Sequence, residues 1–368
     1  MSICDRTTKK EISIIGAGLS GLTAGIALAK AGYKVKIFEK NDIVGKRFHN
    51  DYQGLENWMY KKDGIEYLKE MGLELNFPYY PVNELNIIGL DGTAKNIKFA
   101  KNIFYLVKRG VGQDTLDQGL FHQAIANGVE IIFNSPKNHL NFGEIIAQGY
   151  FPDKFTDALA YGYTFPLNKP NQAWVIVNDK IAPDGYNYCL IANGWATLTI
   201  CIFKNYTKSQ EYLKKTLETF EKQIGFKVTK AENFGGTINS FFMKKASFNG
   251  RLYVGEAAGF IDGMWGFGMK FAIMSGYLAA KSIIDHTNYE KLLKKELYPK
   301  IKASLVNRWF YKILGQRSYK FIIKRMDNPS SFLATLHKIS SYSWFHKLAL
   351  PFAWLSLRKN FKDRRFKK

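Results

Sequence analysis

The spacing of hydrophobic residues along the first forty positions predicts a strand, a helix and a second strand. Ile12, Ile14 and Ile15 form a short apolar run that is typical of a buried strand. Residues 19–31 are rich in alanine and leucine, which favours a helix. A second apolar run over residues 35–38 ends at Glu39. This segment therefore predicts one βαβ unit.

The pattern changes several times further along the chain. Residues 116–129 have helical spacing and lead into an apolar strand at 129–133. Short apolar runs separated by glycine, asparagine and proline fill residues 140–245, with one helix at 209–224, so this region is predicted to be β-rich. Residues 251–284 return to a strand, a loop and a helix, which predicts one α/β domain interrupted by a β-rich insert.

Size and composition narrow the class of protein. The chain has 368 residues, of which 46% are hydrophobic, which is enough for a large core. No apolar run reaches the roughly 18 residues that a membrane-spanning helix needs. The three cysteines form no CxxC pair, and their odd number argues against a disulfide framework. No motif for a metal site, a catalytic triad or a P-loop stands out, and a reducing cytoplasm is the expected location.

Three glycines in the first predicted βα turn form a dinucleotide-binding pattern. Gly16, Gly18 and Gly21 fit GxGxxG between the strand and the helix, and Glu39 ends the next strand. The glycines permit a tight turn, a close approach to a pyrophosphate and close helix packing, while the acid would bond a ribose. A tight packing turn without a ligand is the alternative. The candidate cofactor contacts of this segment are Gly16, Gly18, Leu19, Ser20, Gly21, Glu39 and Lys40.

A second glycine-rich segment follows the predicted strand at 252–254. It begins with Gly255 and Glu256 and continues to a loop that contains Gly266 and Gly268. A glycine loop before a helix brings backbone N–H groups and the positive end of the helix dipole to a ligand. A first motif at residue 16 with a second near residue 255 is typical of FAD enzymes. A glycine-rich turn in the core is the alternative.

This second segment resembles the GDAAG-type FAD motif of the para-hydroxybenzoate hydroxylase-like superfamily, and it is most similar to that of the geranylgeranyl reductase family. In that family the acid of the motif bonds the ribityl chain of FAD, and here Glu256 stands where aspartate is usual. Gly263 replaces the usual proline of the following loop. The resemblance covers most of residues 11–290 and implies FAD contacts at Gly255, Glu256, Gly266, Phe267, Gly268 and Met269.

Two arginines are implied FAD contacts by the same resemblance. Arg109 precedes a helix that reads Leu-Asp-x-x-Leu from Leu116, and the family's arginine at this place lies along the ribityl–phosphate chain. Arg47 lies just after the first βαβ unit, where family members fold a loop over the isoalloxazine. With Gln53, it is a candidate to face the flavin or the substrate. Surface positions for these polar residues are the alternative.

Two segments compete for the aromatic substrate motif of these reductases, Pro-x-x-Tyr-x-Trp-x-Phe-Pro. Residues 161–166 keep the terminal Phe-Pro, whereas residues 183–191 keep the proline and the tyrosine and precede an Asn-Gly turn signal. We favour the second segment. Tyr186 and Tyr188, together with Trp265, are therefore the candidate substrate contacts. Ordinary aromatic residues of a β-sheet core are the alternative for either segment.

The predicted fold class is α/β: a Rossmann-like FAD-binding domain interrupted by a β-sheet substrate domain, with a helical C-terminal region. FAD is the implied cofactor, and either NAD(P)H or ferredoxin is the electron donor. The implied reaction is hydride transfer from reduced FAD to a C=C bond of a lipophilic, prenyl-type substrate. A FAD-dependent monooxygenase of the same fold and a non-catalytic FAD-binding protein are the alternatives. No catalytic side chain is identified.

The predicted domains alternate along the chain. Their ranges are 1–80, 101–135 and 249–290 for the FAD-binding domain, 81–100 and 136–248 for the substrate domain, and 291–368 for the C-terminal region.

The C-terminal region is the most basic part of the chain. The whole chain has a net charge of +22, and residues 300–368 carry 17 Lys and Arg against two acids, 17 − 2 = +15. Aromatic and basic residues are mixed at 309–314 and 319–325, and 344–357 is apolar before a run of bases. This predicts peripheral binding to an anionic membrane surface on the inner face of the cell membrane. No recognition motif accompanies the charge, which argues against nucleic acid as the partner. A solvated basic face is the alternative.

Overall fold

The first predicted βα turn follows a strand of a mostly parallel sheet. The structure is a computed structural model that describes residues 10–139, 141–150, 158–238, 245–315 and 328–357. Within these ranges the sheet has six strands. Their labels follow chain order, and their spatial order is β15 (Ser247–Phe248), β16 (Arg251–Tyr253), β9 (Ile145–Ile146), β1 (Glu11–Ile15), β2 (Lys34–Phe38) and β8 (Glu130–Ile132). All neighbours are parallel except β15 and β16.

Glycines allow two helices to pack unusually closely at this sheet. Helix α1 (Leu19–Lys30) follows β1, and α5 (Met269–Ile284) packs against it. A Cβ atom on Gly276 of α5 would lie 2.1 Å from the carbonyl oxygen of Ser20, and one on Gly21 would lie 2.0 Å from that of Gly16. Because such distances are far inside van der Waals contact, only glycine fits at both positions. Helix α3 (Leu116–Ala126) also contacts α1.

A second sheet is almost entirely antiparallel. Its seven strands within the described ranges are, in spatial order, β14 (Glu232–Ile238), β10 (Ala158–Pro166), β13 (Trp195–Ile202), β12 (Tyr186–Ala192), β11 (Gln172–Ile176), β5 (Glu84–Ile88) and β6 (Ala94–Lys98). Only the β11–β5 pair is parallel. Helix α4 (Ser209–Ile224) covers one face, where Phe220 and Leu213 pack on Leu198 and Ile200. The other face lines a cavity.

Smaller elements complete the fold. A three-stranded antiparallel sheet joins β3 (Asp51–Glu56), β7 (Phe104–Arg109) and β4 (Tyr79–Val82), and α2 (Gly64–Glu70) follows β3. Four helices end the described chain: α6 (Tyr289–Glu296), α7 (Tyr298–Leu314), α8 (Pro329–Ile339) and α9 (Trp344–Leu357). In the described part of the chain, no helix combines the length and the apolar character that crossing a membrane requires.

The predicted βαβ unit, the helix at 209–224 and the α/β fold class are confirmed. The predicted helix at 116–129 is wrong at its end, because α3 stops at Ala126 and Gly128 turns the chain with a φ of +79°. The strand β9 was missed. It lies in the parallel sheet, although residues 136–248 were predicted to belong to the substrate domain. The sequence gives no sign of this strand because two residues are too few to show a periodic pattern.

Candidate active site

A cavity of about 820 Å³ lies between the parallel sheet and the antiparallel sheet. Its volume falls in the range of about 300–1,000 Å³ that is usual for small-molecule sites. One wall is built by the ends of β1 and β2 and by the segment that leads into α5. The opposite wall is built by side chains of the antiparallel sheet.

The first glycine turn opens its backbone into this cavity. Gly16 has a φ of +98°, and a Cβ atom there would lie 2.5 Å from the carbonyl oxygen of Ala147, so this position needs glycine. The N–H of Gly16 donates to the carbonyl of Phe38 at 2.8 Å, which ties the turn to β2. Among the described residues, no heavy atom lies within 4 Å of a Cβ position on Gly18, so a side chain there would enter open space. A ligand can therefore reach the main chain at Gly18.

Glu39 holds the same turn from the end of β2. Its Oε2 accepts a hydrogen bond from the N–H of Ala17 at 2.8 Å. Its Oε1 accepts from the N–H and the side-chain amide of Asn41 at 2.9 and 2.8 Å. The carboxylate is buried, yet Glu39 and the adjacent Lys40 both line the cavity. Glu39 thus fixes the turn, and its carboxylate could also accept a hydrogen bond from a hydroxyl group of a ligand in the cavity.

The second glycine segment forms a folded loop on the same wall. After a 3-10 turn at Gly255–Ala258, the N–H of Asp262 donates to the carbonyl of Phe267 at 2.8 Å, and the N–H of Gly266 donates to the carbonyl of Asp262 at 2.9 Å. The Asp262 carboxylate accepts from the N–H groups of Met264 and Trp265. Burial raises the pKa of Asp262 to about 6, although these two hydrogen bonds oppose the shift. The loop is therefore fixed before α5 begins.

The two helices that point at the cavity have uncapped N-termini. Gly18 precedes α1 and Gly268 precedes α5, and neither helix has a side-chain cap. In the described part of the chain, α4 and α7 also lack a side-chain cap, whereas α2, α3, α6 and α8 have one, namely Asp63, Thr115, Asn288 and Asn328. The first N–H groups of a helix lack partners within the helix and attract negative charge. Both termini can therefore bind anionic or carbonyl groups of a ligand.

Arg47 connects the two walls. Its guanidinium forms an ion pair with Glu256 and donates to the carbonyl of Thr237 on β14 at 3.2 Å. It also lies over the ring of Tyr150, 5.3 Å from the centroid. All four residues line the cavity. The structure therefore places Arg47 at the cavity, together with the acid that the resemblance assigns to the ribityl chain.

Arg109 is held in place by a buried partner. Its Nε and Nη2 donate to the two carboxylate oxygens of Asp117 at 2.7 and 2.9 Å. The guanidinium also stacks on the ring of Phe48, 3.9 Å from the centroid. Both charged side chains are almost fully buried, and both residues line the cavity. A fixed geometry of this kind positions a cation beside a ligand without further loss of side-chain entropy.

The antiparallel sheet supplies a largely apolar wall with a few tyrosines. The Tyr186 hydroxyl donates to the carbonyl of Trp265 at 2.5 Å, which joins β12 to the glycine loop. Burial raises the pKa of Tyr188 well above its usual value. The apolar residues of this wall are Ala160, Val175, Leu190, Cys201 and Phe234.

The competing aromatic segment lies elsewhere. Tyr161 and Tyr163 on β10 pack in the cluster of hydrophobic residues beneath α4, not on the cavity wall.

Most of the residues predicted from the sequence meet at this cavity. The exceptions are Gly21 and Gly255, which lie outside its lining. A Cβ atom on Gly255 would lie 2.8 Å from Ser20 Oγ, so this residue serves close packing rather than ligand contact. Sequence reasoning missed Asp51, Tyr150 and Phe234, which also line the cavity. They come from three separate segments, and no local spacing relates them.

Comparison with known proteins agrees with this geometry. The family model described as "NAD(P)-binding Rossmann-like domain" matches residues 14–62. An L-amino-acid oxidase from Echis ocellatus is 39% identical over 77 residues, 18% of this chain and 15% of the oxidase. A phytoene desaturase from Fusarium fujikuroi is 52% identical over 46 residues, 12% of this chain and 8% of the desaturase. The matched segments thus span less than a fifth of either relative.

Solved structures match nearly the whole chain. A geranylgeranyl bacteriochlorophyll reductase-like protein from Thermoplasma acidophilum has a TM-score of 0.71 at 18% identity, with 96% of this chain and 100% of that chain covered. A flavin-dependent brominase has a TM-score of 0.64 at 16% identity, with 95% and 98% covered. The chain therefore has the fold of the FAD-dependent oxidoreductases. The resemblance to geranylgeranyl reductases is confirmed for the fold.

Proposed function

We propose that this chain is a FAD-dependent oxidoreductase that reduces a C=C bond of a lipophilic, prenyl-type substrate. The observation that supports this most is the cavity of about 820 Å³ with two different walls. One wall presents glycine backbone and two uncapped helix N-termini, and the other presents apolar side chains of a sheet. The first suits a dinucleotide and the second suits a lipid chain.

The residues of the first wall fit FAD. The open backbone at Gly18 and the N-terminus of α1 would hold the pyrophosphate, and Glu39 would bond the adenosine ribose. Glu256 and Arg47, which form an ion pair at the cavity, would contact the ribityl chain. The loop before α5 would border the pyrimidine edge of the flavin, where the positive end of the helix favours the reduced form. FAD itself would supply the hydride.

The residues of the second wall fit an apolar substrate. Val175, Leu190 and Phe234 offer surface that a hydrocarbon chain covers at a gain of about 25 cal/mol per Å² of apolar area. Tyr186 and Tyr188 are the polar groups that would orient such a chain. Two similar proteins, a phytoene desaturase and a geranylgeranyl bacteriochlorophyll reductase-like protein, carry isoprenoid names. They support a substrate of this class.

A monooxygenase or halogenase activity is the competing function, because a flavin-dependent brominase shares the fold. The test is to reduce the protein with dithionite under anaerobic conditions, add polyprenyl lipids and analyse them by mass spectrometry. The reductase proposal predicts a gain of two hydrogens for each reduced bond and no need for oxygen. Oxygen-dependent consumption of NADPH with no saturated lipid would contradict it and favour the competing function.

The proposal includes a membrane-facing surface on α9. The helix packs on α7 through Ala349 and Ala353. Its outer face exposes a row of large apolar side chains, with Trp344 72%, Leu348 65% and Phe352 62% exposed. Residues spaced four apart lie on one face of a helix, so these three form one stripe. An exposed apolar patch of this kind marks an interaction surface.

Charge favours an anionic membrane as the partner of this stripe. Residues 300–368 carry +15, from 17 Lys and Arg and two acids, and α9 contains no Asp or Glu. A second copy of the chain would bring two strongly basic regions together, which repulsion opposes. An anionic bilayer complements both the charge and the apolar stripe. The predicted segment at 319–325 and the bases after residue 357 lie outside the described residues.

Vesicle flotation tests this surface. The double variant Leu348→Glu, Phe352→Glu should lose binding to vesicles that contain phosphatidylglycerol, and binding of the unmodified chain should weaken as salt is added. Ile125→Glu on α3 is the matched control, since Ile125 is also exposed, at 47%. Equal binding by all three proteins would overturn the membrane surface. A dimer that dissociates in the double variant would assign the stripe to a second copy.

A further inference from the structure

A buried pair of opposite charges lies behind the flavin-side wall, which is the wall of the cavity that presents the glycine backbone and the N-termini of α1 and α5. Glu56 ends β3, and Lys270 is the second residue of α5. Their side chains are 2% and 3% exposed, and Lys270 Nζ lies 3.8 Å from Glu56 Oε1. Neither atom has a hydrogen-bond partner among the residues that the structure describes. Burying two charges without hydrogen bonds is costly, so the pair calls for a functional explanation.

The pair is separated from the cavity by a single layer of residues. Gly54, Phe267 and Met269 border both the pair and the cavity. Phe267 and Met269 belong to the loop and helix start that would border the flavin. A charge at this depth acts through low-dielectric protein, so its field reaches the cavity with little screening by water.

Other charged and titratable groups surround Glu56. Burial raises the pKa of Glu56 to about 7; Lys270 and Lys300 of α7 oppose the shift, and Asp262 of the glycine loop adds to it. Tyr60 faces the same site, and its ring lies 4.8 Å from Lys270 Nζ. Ionised Glu56 neutralises Lys270, whereas protonated Glu56 leaves the lysine charge uncompensated.

We propose that Glu56 and Lys270 are positioning residues that couple proton uptake to the reduction of the bound flavin. When bound FAD accepts two electrons from a reductant such as dithionite, together with one proton at N5, the flavin would gain one negative charge at its pyrimidine edge. An uncompensated Lys270 stabilises that charge, so reduction favours the binding of one solvent proton by the Glu56 carboxylate. By reciprocity, protonated Glu56 favours the reduced flavin. This inference rests on the proposed binding of FAD.

The test is the midpoint potential of bound FAD, measured from pH 5.5 to 8.5 by spectroelectrochemical titration with dithionite. In the unmodified protein, the potential should fall more steeply with rising pH near neutrality than in Glu56→Gln. At pH 8 the Glu56→Gln variant should have the higher potential, because glutamine cannot neutralise Lys270. Lys270→Met should shift the potential downward at pH 6. Glu290→Gln is the matched control, since Glu290 is partly buried and bonds Ser247 and Tyr298 away from the cavity lining.

The outcomes separate this inference from the proposed function. A normal flavin spectrum with the same potentials and pH slopes in all variants would overturn the coupling and leave the function intact. Failure of the unmodified protein to bind FAD would instead overturn the function. If Glu56→Gln does not fold, the double variant Glu56→Gln, Lys270→Met contains no unpaired buried charge, and its curve should also lack the extra slope.

Discussion

The two walls of the cavity are built in different ways. The flavin-side wall depends on backbone: Gly16 adopts a φ of +98°, and Gly18 offers open main chain at the start of α1. The substrate-side wall, which the antiparallel sheet forms, depends on side chains such as Val175, Leu190 and Phe234, which come from three different strands. A wall that presents its backbone requires glycines at fixed spacing. A wall that presents side chains requires only a strand register that turns those side chains toward the cavity. The first is therefore specific for a cofactor, and the second is free to change with the substrate.

The largest expected effect comes from adding a side chain to the backbone wall. Gly18→Val should lower FAD affinity by at least about a hundredfold, roughly 2.7 kcal/mol, because the valine would occupy the space of the pyrophosphate. The fold should remain, since a Cβ atom there has no neighbour within 4 Å in the part of the chain that the structure describes. Fluorescence titration with FAD and thermal unfolding of the FAD-free protein measure the two effects separately.

Two glycine variants serve as controls for that comparison. Gly25→Ala faces the sheet, where the new Cβ would lie 3.0 Å from Ile37 Cδ1, so it should cost stability and retain FAD. Gly236→Val also adds a side chain in open space, but on the substrate-side wall. It should retain FAD and weaken substrate binding. Equal loss of FAD in the Gly18 and Gly236 variants would show that the two walls are not separate.

A second test concerns the charge behind the flavin-side wall. Burial raises the pKa of Glu56 from 4.5 to about 7, so the folded protein holds this proton more tightly than the unfolded chain. The contribution of this raised pKa to the free energy of unfolding is therefore fully present below about pH 4.5 and is lost as the pH rises through about 7. Glu56→Gln removes this dependence. Its free energy of unfolding, relative to the unmodified protein, should rise by about 2.5 kcal/mol between pH 5 and pH 8.

Urea unfolding of both proteins at several pH values measures that difference. If the difference in free energy of unfolding between the two proteins does not change with pH, the pKa of Glu56 has its ordinary value. The flavin-side wall would then owe its properties to the glycine backbone and not to a charge behind it.

The smallest expected effect is on the substrate-side wall. Tyr186→Phe removes the hydrogen bond to the carbonyl of Trp265. One such bond contributes about 1 kcal/mol to the folded structure. Its loss leaves Tyr186 and the glycine loop less firmly held at the substrate-side wall, so KM for the lipid should rise by at most roughly fivefold. FAD content should not change. Steady-state kinetics at a saturating concentration of reductant measures KM for the lipid. Loss of flavin from this variant would instead place Tyr186 on the flavin-side wall.

The contrast between the walls also explains what the sequence could predict. Gly16, Gly18 and Glu39 were found because the turn needs their residue types at a fixed spacing, and α4 was found because its apolar residues recur with helical period. The small sheet of β3, β4 and β7 was missed, and so was β9. Short strands carry little periodic signal, and their pairing depends on contacts between distant segments.

Side-chain partners were the least predictable part of the site. The ion pair between Arg47 and Glu256 joins residues 209 positions apart, and no local pattern reveals it. The buried pair of Glu56 and Lys270 is likewise formed only when β3 meets α5. In both cases the sequence contains the charges, but only the tertiary fold determines which of them meet.

The absorption spectrum of the purified protein tests the central claim most directly. The account predicts a yellow protein with the bands of oxidised flavin, and denaturation should release one FAD per chain as a free, non-covalent cofactor. Protein that is isolated without flavin should regain those bands when FAD is added. A folded, colourless protein that binds no added FAD would contradict the assignment of the glycine-lined wall to a flavin.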